Sequence, residues 1–325
     1  MRKLFKTLRV LGCVVVSIAL FWGIVNIFPG NKVVDVNPWI ATERTQISAH
    51  RGGAELNPEN TEKAFDYVIT GEASYVDIVE IDIHITADNY LVINHDGTLN
   101  RMACAEGESD VKISTSNYAD LKNYNLGRNF VARDGSKPYL NYTIAEADAA
   151  GLTIMTLEEF LTKYKEARDF KLLLEIKNDG EVANQVADKV YQLLKSEEYS
   201  WWFDRTMVIT FTDSLVDYII DTYEDLYVGP LGYKIAPQLI LNAVGLGSLY
   251  NAKYHCFQTR MENSAGPITL NCATKAMVNY CHKHNQAITY WTIDDKESME
   301  HLCGIGADVI TTNAPDKLAE VLGII

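Results

Sequence analysis

From Ile47 onward this 325-residue chain alternates short β-rich apolar runs with amphipathic stretches, and that alternation restricts the fold more than any other feature. The candidate strands are Ile47–Ala49, Val76–Ile83, Leu91–Asn94, Lys171–Ile176, Met207–Ile209, Leu226–Val228, Ala287–Trp291 and Val309–Thr311. Between most of them lie stretches with an apolar residue every third or fourth position: Leu157–Ala167, Val182–Lys195, Leu215–Tyr223, Thr274–His284 and Lys296–Cys303. Strands separated by helices cannot pair as hairpins, so this order favours a parallel sheet with helical crossovers. A strand count near eight points to an α/β fold of the (β/α)8 type, a TIM barrel; an open doubly wound sheet is the alternative. One stretch breaks the rhythm: residues 97–150 are polar and weakly periodic. A gap of that length inside a barrel is expected to be an insertion after the third strand, lying over the strand ends where substrates enter.

The N-terminus follows a different rule. From Val10 to Phe28 no residue carries a charge, and Lys3, Lys6 and Arg9 precede the run. About 20 apolar residues suffice to cross a bilayer, and flanking basic residues hold their side in the cytoplasm. The expected organisation is a basic cytoplasmic N-terminus (1–9), a transmembrane signal anchor (10–28), a polar linker (29–45) and one barrel domain (46–325) outside the cytoplasm at the cell membrane. A cleaved signal peptide would need a small-x-small site after the apolar run, and none stands out there.

The formal net charge of -14 argues against a nucleic-acid partner, because phosphate backbones are held by Lys and Arg clusters that this sequence lacks. A small phosphate ester remains compatible with an acidic chain if a cation sits in a local site. Six cysteines occur, none in a C-x-x-C pair, so a zinc site is not indicated and buried thiols are the expectation.

Chemistry in a barrel is carried at the C-terminal ends of the strands, and four candidate ends here carry unusual groups. His50 and Arg51 end the first. In "VEIDIHIT" the alternation puts Glu80, Asp82 and His84 on one side of the second. His95 and Asp96 end the third, and Glu175 and Lys177 share a face of the fourth after three leucines. Charges on a face that should be packed and apolar are costly unless paired or bound to metal. Three carboxylates, Glu80, Asp82 and Glu175, suit a hard cation such as Mg²⁺ or Ca²⁺, which prefers oxygen ligands. Histidines at neighbouring strand ends, His50 and His95, can divide general-base and general-acid work near neutral pH.

Taken in order, His50-Arg51-Gly52, Pro58-Glu59-Asn60-Thr61, Glu80-x-Asp82, His95-Asp96 and Glu175-x-Lys177 resemble the glycerophosphodiester phosphodiesterase family. The closing stretch "YWTIDDKESMEHLCGIGADVITTNAP" is similar to that family's last strand, helix and strand. The resemblance covers about Ile47 to Leu322 and implies a TIM barrel with an insertion after its third strand. It implies hydrolysis of a glycerophosphodiester to glycerol 3-phosphate and an alcohol. It also implies that His50 and His95 form the acid–base pair and that Glu80, Asp82 and Glu175 hold one divalent cation. Arg51 and Lys177 are then placed to contact phosphate, and Trp291 to pack against the glycerol. His84, Glu59 and Asn60 are expected to support the site from behind, and Phe211 to line it.

Two positions depart from the family pattern. Thr312-Asn313 stands where Thr-Asp is common, and a structural role is expected for Asn313. Met102 stands where a small polar residue is frequent, which touches the substrate mouth. A lysophospholipase D-like or sphingolipid-type diesterase on the same barrel is the alternative activity. A surface-binding protein without turnover is the non-enzymatic one, and the survival of both histidines and all three carboxylates counts against it.

Overall fold

The computed structural model describes residues 2–27, 30–265 and 268–325. Eleven strands are present among them: β1 Gln46–Ala49, β2 Ile78–Ile85, β3 Leu91–Ile93, β4 Lys171–Ile176, β5 Thr206–Thr210, β6 Tyr227–Pro230, β7 Cys256–Thr259, β8 Glu262–Ala265, β9 Ile268–Asn271, β10 Ala287–Tyr290 and β11 Val309–Thr312. Eight of them run in the order β6-β5-β4-β2-β1-β11-β10-β7, with every neighbouring pair parallel. The ends of that path meet where the His255 N–H donates to the Val228 carbonyl at 2.9 Å and the Val228 N–H donates to His255 Nδ1 at 3.2 Å. The result is a nearly closed TIM barrel, the fold expected from the alternation.

Two strand assignments differ from the sequence reading. Leu91–Ile93 is not a barrel stave; it folds back antiparallel on β2, pairing Ile83 with Ile93 and Ile85 with Leu91. Its three residues are buried, so an apolar run alone does not separate a hairpin arm from a parallel stave. The eighth stave is instead β7, whose sequence "CFQT" offers no apolar run although all four residues are buried. Its Cys256 and Gln258 face the barrel interior, where a thiol and an amide are shielded from solvent. The strands β8 and β9 form a separate antiparallel hairpin that the sequence reading did not foresee.

Inside the barrel, Ile78, Leu173, Met207, Ile209, Cys256, Ala287 and Val309 pack together. Little room is left at Gly229 in this layer, because a Cβ there would meet Gln258 Cγ and Met207 Sδ at 3.2 Å. A larger apolar layer fills the space between the sheet and the surrounding helices. Several of the helices begin with side-chain caps that satisfy a free N–H group: Thr61 accepts from Ala64, Thr156 from Glu159, Thr274 from Met277 and Asp295 from Ser298.

The segment before β1, read as a polar linker, is packed. Trp39 is 1 % exposed and joins the interior layer. Asn37 Nδ2 donates to the carbonyls of His255 and Asn285, both at 2.8 Å. Pro29, the first residue of that segment, and Phe28, the last of the expected span, lie outside the described residues. Before them, Arg2–Ile27 is one helix, in which Phe5–Val25 is long and apolar enough to be a membrane span or a signal sequence. All six cysteines are free.

Candidate active site

The first turn after β1 explains the density of signals in "HRGGAELNPENTEKAF". His50–Gly52 is a 3-10 turn in which Arg51 takes φ 54°. Asn60 also sits at φ 54°. Left-handed backbone at a non-glycine residue costs of order 1 kcal/mol, and such strain gathers at functional sites. The Asn60 N–H donates to the Arg51 carbonyl at 2.9 Å, which ties the two strained residues together. Gly52 follows at φ 79°, with Ala64 Cβ and Phe65 Cδ1 3.0 Å from where its Cβ would lie. Any side chain there would push the helix Glu62–Ile69 away from the turn.

Glu80 and Asp82 from β2 and Glu175 from β4 project into the barrel mouth, with oxygen atoms within 4.8 Å of one another and all three residues buried. Asp82 accepts from Asn60 Nδ2 at 2.7 Å, and Glu80 accepts from the Arg51 N–H at 2.8 Å. Lys177 Nζ donates to Glu175 at 2.7 Å and lies 3.3 Å from Asp82 Oδ1. Burial, with Asp82 and Glu175 adding like charge, pushes Glu80 well above the usual carboxylate range. Burial also raises Glu175, to about 7, with Asp82 contributing. For Asp82 burial acts in the same upward sense, but Lys177 and Arg51 outweigh it and hold the group low.

Those residues fit a divalent cation. Asp82 Oδ1 is buried without a hydrogen bond, and three converging carboxylates, once ionised, carry more negative charge than Arg51 and Lys177 neutralise. An all-oxygen set suits a hard cation.

The two histidines are held by different partners. His50 Nδ1 lies 2.7 Å from Asn313 Oδ1, while Asn313 Nδ2 donates to Asp294 at 2.8 Å. A carboxylate only accepts, so the amide nitrogen must face Asp294 and the amide oxygen must face His50. His50 therefore carries its proton on Nδ1 and leaves Nε2 as a base. Burial, aided by Arg51, lowers this imidazole to about 4. His95 Nδ1 lies 2.7 Å from Asp96 Oδ1. Asp96 is held below the ordinary carboxylate range by that bond and by Arg101, against burial. His95 thus also bears its proton on Nδ1, beside a full negative charge.

Both histidines line one pocket of about 140 Å³ together with Arg51, Glu80, Glu175, Lys177, Phe211, Gln258, Trp291 and Thr311. The sequence-selected residues thus converge. Asn60 stands behind Asp82, and His84 Nε2 lies 3.1 Å from the His95 carbonyl. Glu59 bridges Arg51 at 3.0 Å and Arg101 at 2.6 Å. Burial raises the Glu59 carboxyl, and these two guanidiniums more than offset it. Trp291 meets Phe211 edge-on, with centroids 5.5 Å apart.

Four contributors escaped the sequence reading. Arg101 and Asp294 are charged residues in segments that read as solvated, and only their partners reveal them. Gln258 and Thr311 lie on strands and present side-chain atoms, Nε2 and Oγ1, that are buried without partners. Trp291 Nε1 is likewise unpartnered, while Arg51 Nε, buried without a hydrogen bond, lies 3.5 Å from Asp82 Oδ2. Unsatisfied donors around a concave site indicate a polar ligand.

Three buried acids that could hold a cation, two imidazoles and basic side chains thus gather at the mouth of a parallel barrel, an arrangement suited to hydrolysis of phosphate esters. The model of the Glycerophosphoryl diester phosphodiesterase family matches residues 50–317, and the chain belongs to that family. A glycerophosphodiester phosphodiesterase of Caldanaerobacter subterraneus is 28 % identical over 283 residues, spanning 86 % of this chain and 98 % of the relative. Among solved structures, the glycerophosphoryl diester phosphodiesterase domain of a Mycobacterium tuberculosis protein aligns with a TM-score of 0.65 at 16 % identity, covering 87 % of this chain and 100 % of the other. An Oleispira antarctica phosphodiesterase in complex with its product sn-glycerol-3-phosphate aligns at 0.62 and 18 % identity, covering 86 % and 97 %. These structures share the fold.

Proposed function

We propose that the chain is an anchored, divalent cation-dependent phosphodiesterase that hydrolyses glycerophosphodiesters to glycerol 3-phosphate and an alcohol. The observation that carries the mechanism is the matched but unequal pair of histidines in one pocket. His50, neutral and presenting Nε2, is the base that takes the proton of the attacking O–H group, either water itself or the substrate's own hydroxyl, whose cyclic phosphate product water then opens to glycerol 3-phosphate. His95, oriented through its Nδ1 by Asp96, is the acid that protonates the departing alcohol. Arg51 and Lys177 hold the phosphoryl oxygens, where charge grows in the transition state. Trp291 packs the glycerol and offers Nε1 to a hydroxyl. Glu80, Asp82 and Glu175 would hold the Mg²⁺ or Ca²⁺, which supplies Lewis-acid polarisation of the phosphoryl group when bound. Asn60, Glu59 and His84 position these groups.

Release of glycerol 3-phosphate from glycerophosphocholine or glycerophosphoglycerol is expected to need Mg²⁺ or Ca²⁺ and to stop with EDTA. Full turnover in chelator would remove the cation from the scheme. His50→Ala and His95→Ala are each expected to lower kcat by about 10²-fold or more. Near-normal turnover in either variant refutes that residue's role. The barrel is read as lying outside the cytoplasm, so a reporter fused after Ile325 should be active only on the exported side.

One observation favours a second substrate class. An apolar groove of about 420 Å³, lined by Leu231, Ile235, Leu239, Ile240 and Leu270, shares Phe211 and Trp291 with the catalytic pocket. A lysophospholipid or sphingolipid-type diester would place its tail there, and comparing a lysolipid with glycerophosphocholine distinguishes the two.

A further inference from the structure

The helix Ala236–Ala243 connects the top of β6 to the bottom of β7 and so runs down one flank of the barrel. Its outer surface continues into a row of exposed apolar residues from mouth to base: Tyr233 at 86 %, Ile240 at 53 %, Val244 at 59 % and Leu249 at 55 % exposure. A soluble flank helix normally turns polar residues outward. A contiguous apolar strip of this kind marks an interaction surface.

Two observations identify what covers it. First, the strip adjoins the end of the N-terminal helix. Asn31 pins the chain to its base through Nδ2 to the Ala252 carbonyl at 2.7 Å and the Ala252 N–H to Oδ1 at 2.9 Å. The ring of Trp22, inside the candidate span, lies against Gly245, and Val25 is buried. Second, the charge pattern reverses here. In a chain of net charge -14, no Asp or Glu occurs between Asp225 and Glu262, whereas Lys234, Lys253 and Arg260 do. Lys234 pairs with Asp217, and Lys253 is exposed. Apolar residues interspersed with basic ones suit the interface of an anionic bilayer.

We propose that this flank is a second contact with the bilayer, so that the barrel lies on its side with Ile240, Val244 and Leu249 in the headgroup region. The substrate groove, which includes Tyr233 and Ile240, then opens at membrane level. The inference rests on the reading of Phe5–Val25 as a membrane span.

The test uses the full chain, with Cys13 and Cys303 replaced by Ser, in vesicles of phosphatidylcholine and phosphatidylglycerol. Single spin labels are placed by Val15→Cys, Ile240→Cys, Val244→Cys and Asp120→Cys, the last in the insertion on the opposite side of the barrel. Relative accessibility to oxygen and to a water-soluble nickel chelate reports depth. The expected result is Val15 in hydrocarbon, Ile240 and Val244 at the headgroup boundary, and Asp120 in water. Adding Leu249→Asp should shift the Val244 label toward the nickel reagent. Labels at Ile240 and Val244 in water while Val15 is in hydrocarbon would overturn the docking face and leave the span intact. A Val15 label in water would overturn the span and the docking face together.

Discussion

His50 and His95 stand out in the sequence as a pair, each at a strand end beside another charged residue, and the structure brings both to one pocket. Their partners do not stand out. Asn313 read as a departure with a structural role, yet its oxygen fixes the tautomer of His50, and Asp294 fixes Asn313 in turn. Spacing along the chain could not show that bond, since His50 and Asn313 follow the first and last staves, which are neighbours in the sheet but 263 residues apart in sequence. Asn313→Leu, similar in size but without the acceptor, frees His50 to protonate either nitrogen. The expected outcome is a fall in kcat of about tenfold or more with little change in KM, measured by steady-state kinetics on glycerophosphocholine. Arg101 is the second hidden residue. It bonds Asp96 through Nε at 2.7 Å and Glu59 at 2.6 Å, linking the supports of His95 and Arg51. Arg101→Ala is expected to cost about tenfold in kcat/KM, the lower range for removing a group that orients functional residues. Arg101→Lys should restore only part, because one ammonium cannot reproduce the fork.

At the scale of elements, β4 was readable to the residue and β7 not at all. A stave whose interior face is apolar announces itself, as "KLLLEI" does, whereas "CFQT" puts a thiol and an amide inside and resembles a loop. β7 owes part of its place to His255, which precedes it. The bond from the Val228 N–H needs His255 Nδ1 unprotonated, and burial lowers this imidazole from 6.5 to about 4. Because the folded value lies below the unfolded one, the stabilisation is complete above pH 6.5 and is lost as pH falls toward 4. Near pH 5 the loss from this residue amounts to about 2 kcal/mol by linkage. His255→Gln keeps an acceptor that does not titrate. Urea denaturation at pH 7 and pH 5 should therefore show a smaller acid-induced loss in the variant than in the wild type. Equal losses in the two would show that protonation of His255 does not govern closure between β6 and β7.

For the whole molecule, alternation alone led to the barrel, because helical crossovers leave few ways to connect parallel strands. It could not show that the segment before β1 packs into the barrel, since a lone Trp39 in a polar stretch carries no periodicity. Nor could it give the balance between stability and site chemistry, which depends on how closely the strands bring charges together. Glu80, Asp82 and Glu175 converge within 4.8 Å, and like charges buried that closely destabilise the cation-free protein. A bound cation reverses the effect, since a ligand that binds only the folded state raises stability by mass action. Glu80→Gln removes one acid and retains an oxygen that can accept the Arg51 N–H. In EDTA its Tm is expected to exceed that of the wild type by about 2 °C or more, equivalent to about 1 kcal/mol in a chain of this size. The rise in Tm on adding Mg²⁺ or Ca²⁺ should shrink, and diesterase activity should fall. A variant no more stable than the wild type in EDTA, with an undiminished response to the cation, would mean that these carboxylates neither strain the fold nor hold the ion.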